Sequence, residues 1–294
     1  MRTSTSRKLF LILNTGACIF MALLCLAPLL NVLATSFSSK ESIMAGRIGF
    51  LPVGFTLGNY AFVMKDTAFF TAFGISVIRT LLALVVQLAM TVLAAYPISL
   101  RKDHFHARSF YTWYFLVAIL FSGGLVPTYL VVRGTGLIDS MWSLILPGAV
   151  PLFFVILMQN YMKSLPDEIR ESASMDGAGH WMILVRIILP LCKVSIATVS
   201  LFIIVGNWNA WYDGMLYINN FRKFPLQTYL RTVIIKPDLT LSQGAGDISS
   251  LAMMVASGGA DAAKIFIAMI PIFLIYPFAQ KHFVKGIVLG SVKG

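Results

Sequence analysis

The chain has 294 residues, 58% hydrophobic and 12% charged, with a mean hydropathy of +0.82. Globular domains carry about 25% charged residues, so this composition excludes an ordinary water-soluble domain and requires lipid as solvent. The formal charge of +11 does not indicate nucleic acid, because the basic residues lie between apolar runs rather than in a patch interleaved with exposed aromatics.

A hydrocarbon core about 30 Å thick takes about 20 apolar residues per helix. Six segments meet that length, near 9–35, 70–97, 110–132, 140–161, 191–214 and 262–280. They predict an all-α polytopic membrane protein of six transmembrane helices, a single transmembrane domain over 1–294 with its core at 70–285. The first run is too long for a signal-peptide core and lacks a small-residue cleavage site, so it is expected to stay as an anchor. Leu24 before Cys25 argues against a lipoprotein site. Cys18, Cys25 and Cys192 form no CxxC pair and read as small apolar packing residues.

Lys and Arg are dense at the N-terminus (Arg2, Arg7, Lys8), in 101–108, in 163–193 and in the tail (Lys281, Lys285, Lys293). The loops 36–69, 133–139 and 215–261 are less densely basic. By the positive-inside rule both termini should be cytoplasmic. Pro28, Pro127, Pro147, Pro151, Pro271 and Pro277 fall within or at the ends of spans. They read either as ordinary kinks or as bends lining a translocation path.

Between spans four and five the run SLPDEIRESASMDGAGHWMILVRIILP, 164–190, opens too polar to remain in lipid. Ser164 is a candidate helix cap, Pro166 fits a first turn, and Asp167 and Glu168 complement the positive end of a helix dipole. Gly177 supplies the left-handed residue that ends such a helix and lets the chain reverse. Trp181 to Leu189 then leads toward span five, with Pro190 as a break.

Glu171, Ser172, Ala173, then Gly177, then Ile187, Leu189 and Pro190 stand at the spacings of Glu-Ala-Ala, three residues, Gly, nine residues, Ile, one residue, Leu-Pro. This resembles the signature loop of ABC importer permeases, and only Ser172 departs from it. Six fixed residues at background frequencies of roughly 5 to 10% each coincide by chance on the order of once in ten million windows. The resemblance implies that the loop (163–190) is a coupling helix that docks on a separate ATPase subunit and transmits its closure to the spans. Glu168, Glu171, Ala173, Asp176, Gly177, Ile187, Leu189 and Pro190 are the candidate coupling residues, with Glu171 foremost. The chain has no GxxxxGK[ST] phosphate loop. It is therefore expected to be a transport subunit and no enzyme, without a cofactor or metal of its own, ATP and Mg being bound by partner ATPase subunits.

The resemblance covers essentially the whole chain and is closest to maltose-type carbohydrate permeases, specifically the shorter subunit of the heterodimeric pair. It rests on Pro127 to Asp139, KSLPDEIRESASMDGA and the Gly206 to Asn209 cluster. The tail from Lys281 to Gly294 resembles the complex-oligosaccharide branch, alginate importers included. That implies a bacterial plasma (inner) membrane location and a sugar or oligosaccharide cargo, an acidic one such as alginate among the candidates. The implied partners are a second homologous permease subunit, two ATPase subunits, a solute-binding protein and membrane lipid, with no nucleic acid.

Asn207, Trp208, Asn209, Trp211 and Tyr212 offer rings and amides suited to a sugar, and also suit an interfacial aromatic anchor. Arg79, inside span two, joins this candidate substrate path because charge in lipid is expensive, though a structural partner would equally account for it. Arg222, Lys223, Arg231 and Lys236 read as attractors for an acidic ligand or as solvated loop charges. The alternatives are a permease for another small solute and a secondary transporter, the latter disfavoured because acidic residues are nearly confined to loops and span ends. A membrane enzyme is disfavoured because His104, His106, His180 and His282 all fall in loops or span ends.

Overall fold

In the computed structural model, residues 5–234 and 258–277 are described. Among them every regular element is helical, as lipid demands of segments that must satisfy their backbone groups internally. The described residues divide into two compact units, 5–69 with 232–234 and 258–270, and 70–231 with 271–277. The tail from Lys281, Lys236 and His282 lie outside the described residues.

In the first unit, α1 (Thr5–Ser36) exposes Leu9, Phe10, Ile12, Phe20 and Leu23, so its apolar surface is available to lipid. Pro28 lies within it and does not end it. Cys18 and Cys25 are exposed on it rather than packed. Beyond α1, the Asn59 amide donates to the carbonyls of Ser36 and Ser38, each at 3.0 Å. Two short helices follow, α2 (Lys40–Met44), capped by Ser39, and α3 (Gly58–Val63). Lys264, in the last described helix, meets Asp66 at 2.7 Å, with the two side chains 6% and 20% exposed. Asp66 also accepts the Phe69 amide at 3.1 Å. Sequence reasoning passed over this pair, because it lies between a loop and a distant span end.

The second unit is built on α4 (Thr67–Ser99). Ser76, Arg79, Thr80, Gln87 and Thr91 are buried on it at helical spacing, so its polar stripe faces inward while Val85 and Leu81 face outward. The partners come from later elements: the Leu226 amide donates to Ser76 Oγ at 2.7 Å, and Asn207 donates to Gln87 Oε1 at 3.2 Å.

The spans expected at 110–132 and 140–161 are bent within their length, and the one expected at 191–214 follows a bend next to the break expected at Pro190. α5 (Arg108–Leu120) and α6 (Leu125–Gly134) meet at 112° across Gly123 and Gly124, the latter at φ +84. The helical segment Met141–Gly148 and α7 (Leu152–Lys163) meet at 47°, where Pro147 and Pro151 remove backbone donors. Past α8 (Glu168–Met175), α9 (His180–Leu191) and α10 (Lys193–Asn209) meet at 82°. α10 stops five residues short of the expected 214, and α11 (Tyr212–Tyr217) and α12 (Leu226–Ile234) follow. Among the described residues three helices, α1, α4 and α13 (Gly258–Pro277), are long and apolar enough to cross a membrane, and the number rises to six if each bent pair is one span.

One apolar core joins these elements: Ala95 and Tyr96 of α4, Met158 and Met162 of α7, Ala173 of α8, Ile183 and Ile188 of α9, Cys192, and Val199 of α10. It runs unbroken from the polar loop helix into the long spans. Elsewhere in the unit, Gly214 sits where a methyl group would strike the Thr228 hydroxyl, with Thr228 Cβ at 3.1 Å and Pro225 Cδ at 3.2 Å behind it. That hydroxyl donates to the Trp211 carbonyl at 2.9 Å and cannot yield cheaply. Gly214→Ala is therefore expected to destabilise the detergent-solubilised protein by about 1–3 kcal/mol, seen as a lower midpoint in a thermal melt.

Candidate functional site

The 163–190 loop starts where α7 ends. Ser164, expected as a helix cap, instead closes α7: its amide reaches the carbonyls of Asn160 and Tyr161, and its hydroxyl donates to Tyr161 at 2.7 Å. Pro166, two residues on, stops α7 from continuing. α8 then begins behind Asp167, whose carbonyl accepts the amides of Arg170 at 2.9 Å and Glu171 at 3.0 Å.

The far end of α8 is closed by a Schellman arrangement. The Ala178 amide reaches back to Ala173 and the Gly177 amide to Ser174, each at 3.0 Å. Gly177 has φ +80, with open space where a Cβ would stand. A substitution there is opposed by backbone strain and not by crowding. Gly177→Asn is expected to be nearly silent and Gly177→Val to cost about 1–2 kcal/mol, compared by thermal melts and by uptake in the assembled transporter.

The candidate coupling residues fall into two groups. Glu168, Glu171 and Asp176 are exposed, beside a Met175 that is 88% exposed and a Trp181 that is 66% exposed. Ala173 is buried against the core, Ile187 and Leu189 are half-buried on it, and Pro190 is exposed near the end of α9. Within α9, Ile183–Ile188 is π-helical, with the Leu189 amide reaching Leu184, five residues back. The wider register accommodates Pro190, which has no N–H to give the carbonyl four residues before it.

Two arginines that sequence reasoning did not single out complete the loop. Arg101, just past α4, meets Glu171 at 3.4 Å with both side chains about half exposed. Arg170 is buried on the inner face of α8. The only signal for it was Asp167 three residues earlier, one turn away on the same helix face.

The candidate substrate-path residues also divide. Arg79 donates to both carboxylate oxygens of Asp213 and to the Ala210 carbonyl, across the break between α10 and α11. Asn207 is bonded to Gln87 and to the Ile203 carbonyl. Trp208 is buried edge-on against Phe73. Trp211 lies under the Arg231 guanidinium, 3.8 Å from the ring centre. Asn209 and Tyr212 are the exposed members of the set. Lys223 is paired with Asp139 at 2.7 Å, and this hydrogen bond, with those from the Asn219 and Asn220 amides, holds the Asp139 carboxyl below its usual range.

Apolar helices long enough to cross a membrane, with an exposed polar helix closed at Gly177 between two of them, define a helical membrane protein. No protein-family model matches the chain. It is 41% identical over 267 residues to protein LplC of Bacillus subtilis (strain 168), covering 91% of this chain and 89% of that one. It is 37% identical over 294 residues to the polygalacturonan/rhamnogalacturonan transport system permease protein YtcP of the same organism, covering 98% and 99%. Among solved structures, a bacterial ABC transporter involved in the import of the acidic polysaccharide alginate has a chain that superposes with a TM-score of 0.85 at 28% identity, covering 96% of this chain and 99% of that one. The chain belongs to the carbohydrate permease subunits of ATP-binding-cassette importers, and is a transport subunit rather than an enzyme.

Proposed function

We propose that this subunit carries an acidic oligosaccharide built of uronic acids through the bacterial plasma membrane, with ATPase subunits docking on α8. The observation that carries the cargo reading is that the polymers named for the relative at 37% identity and for the structure at TM-score 0.85 include polyuronates. Six spans, with each bent pair crossing once, would place α8 between the fourth and fifth and both termini in the cytoplasm, in line with the basic loops. The docking reading rests on the exposed row Glu168, Glu171, Met175 and Asp176, a charged rim around an apolar anchor.

The complex would comprise this chain, a second permease, two ATPases that hold ATP and Mg, and a solute-binding protein that delivers the cargo. Asn209 and Tyr212 remain the residues of the candidate path with surface to offer a sugar. The test is uptake and ATP hydrolysis by the complete complex in proteoliposomes, with its binding protein loaded in turn with oligogalacturonate, alginate oligomers or maltodextrin. Stimulation by a uronate oligomer and not by maltodextrin is expected, and the reverse order would overturn the cargo reading.

A further inference from the structure

Arg170 is the one charged residue of α8 that points inward, 8% exposed beside Ala173. Its Nη2 donates to the Met162 carbonyl at 2.7 Å, and its Nη1 to Asp167 Oδ1 at 3.2 Å. Met162 lies in the last turn of α7, where carbonyls have no partner within the helix and the dipole is negative. Ser164 serves the Asn160 and Tyr161 carbonyls of that turn, and Arg170 serves Met162 from across the loop.

Stability alone does not account for an arginine here. Its Nε is buried without a partner, and a buried guanidinium with an open donor is costly. Replacing Arg170 and Asp167 together by apolar residues would remove that cost, as whole buried ion pairs so replaced commonly show, whereas losing Arg170 alone takes this donor from the Met162 carbonyl. What arginine adds is direction: a planar, permanently charged fork that fixes two acceptors at once and resists rotation. An apolar contact would let α8 slide over the end of α7.

We infer that Arg170 is the positioning residue that locks the ATPase-docking helix α8 to the end of α7, so that displacement of α8 moves the span and not merely the loop. The inference rests on the proposed docking role of α8.

The test uses the complete transporter in proteoliposomes and reads substrate imported per ATP hydrolysed. With Arg170→Met the ATPases should still bind and hydrolyse ATP, while import per ATP falls by about tenfold or more, the loss of a charge-assisted hydrogen bond on the transmission path. Arg170→Lys, which keeps one charged donor, should recover part of the ratio. If the methionine variant fails to assemble, the lysine variant is read alone against the parent. Import and hydrolysis falling together at an unchanged ratio would make Arg170 merely structural and overturn the inference. A parallel Glu168→Cys variant reports on the docking reading itself: no cross-link from that position to an ATPase subunit would remove that reading, whatever Arg170 does.

Discussion

Glu171→Lys is expected to leave the subunit folded and to weaken ATPase docking by about 30-fold, the equivalent of about 2 kcal/mol at an interface hot spot. The fold survives because the one ion pair lost, with Arg101 at 3.4 Å, is half exposed, and such surface pairs are worth about 1 kcal/mol or less. The helix itself is held by Ala173, Arg170 and the Gly177 closure, none of which the substitution touches. Docking should suffer because the exposed carboxylate in the first turn of α8 becomes a cation beside Arg101. Co-purification with the ATPases and uptake in the assembled transporter measure the effect. The charge-swapped double variant Arg101→Glu with Glu171→Lys separates two explanations. It rebuilds the pair within the chain and leaves the outer face reversed, so it should stay defective. Recovery of uptake in the double variant would assign Glu171 to holding its own loop and end the docking role.

What the sequence disclosed follows from which interactions are local. The Gly177 turn was legible because its φ of +80 is a demand made within five residues, and the exposed Glu168 and Glu171 follow from the same short helix. The three bends were only half legible. Pro147 with Pro151 and Pro190 announce breaks while Gly123–Gly124 falls inside one expected span, and the angles of 47°, 82° and 112° depend on packing that no local pattern encodes. Ser164 was misplaced because a serine one turn ahead of an acidic run satisfies the pattern of a helix start, while the α7 carbonyls claimed its hydroxyl first. Arg170 and the Asp66–Lys264 pair were hidden for another reason: their partners are a backbone carbonyl eight residues back and a side chain 198 positions away. For the same reason the aromatic and amide cluster at the end of α10 and just past it looked free in the sequence, while the structure commits Asn207, Trp208 and Trp211 to protein partners.

Arg79 shows most clearly how partner and burden differ. At 2% exposure in the longest helix of the second unit, its guanidinium is charged in a setting where an unpaired cation costs about 2.5–3.5 kcal/mol on insertion scales. Asp213 and the Ala210 carbonyl offset that cost and in turn fix where α10 stops. Arg79→Met removes the charge-assisted hydrogen bonds to Asp213, which is 27% exposed, and frees the 210–211 break, and should destabilise the protein by about 1.5–3 kcal/mol. Arg79→Met with Asp213→Leu removes both charges, and most of the stability should return. Thermal melts followed by tryptophan fluorescence suit the measurement, because Trp208 and Trp211 flank the break. A single variant as stable as the parent would mean that the pair contributes nothing. Uptake by the double variant then decides between roles: a stable protein that transports normally makes the pair a clamp on the helix break, and a stable protein that does not transport returns Arg79 to the path of an acidic sugar.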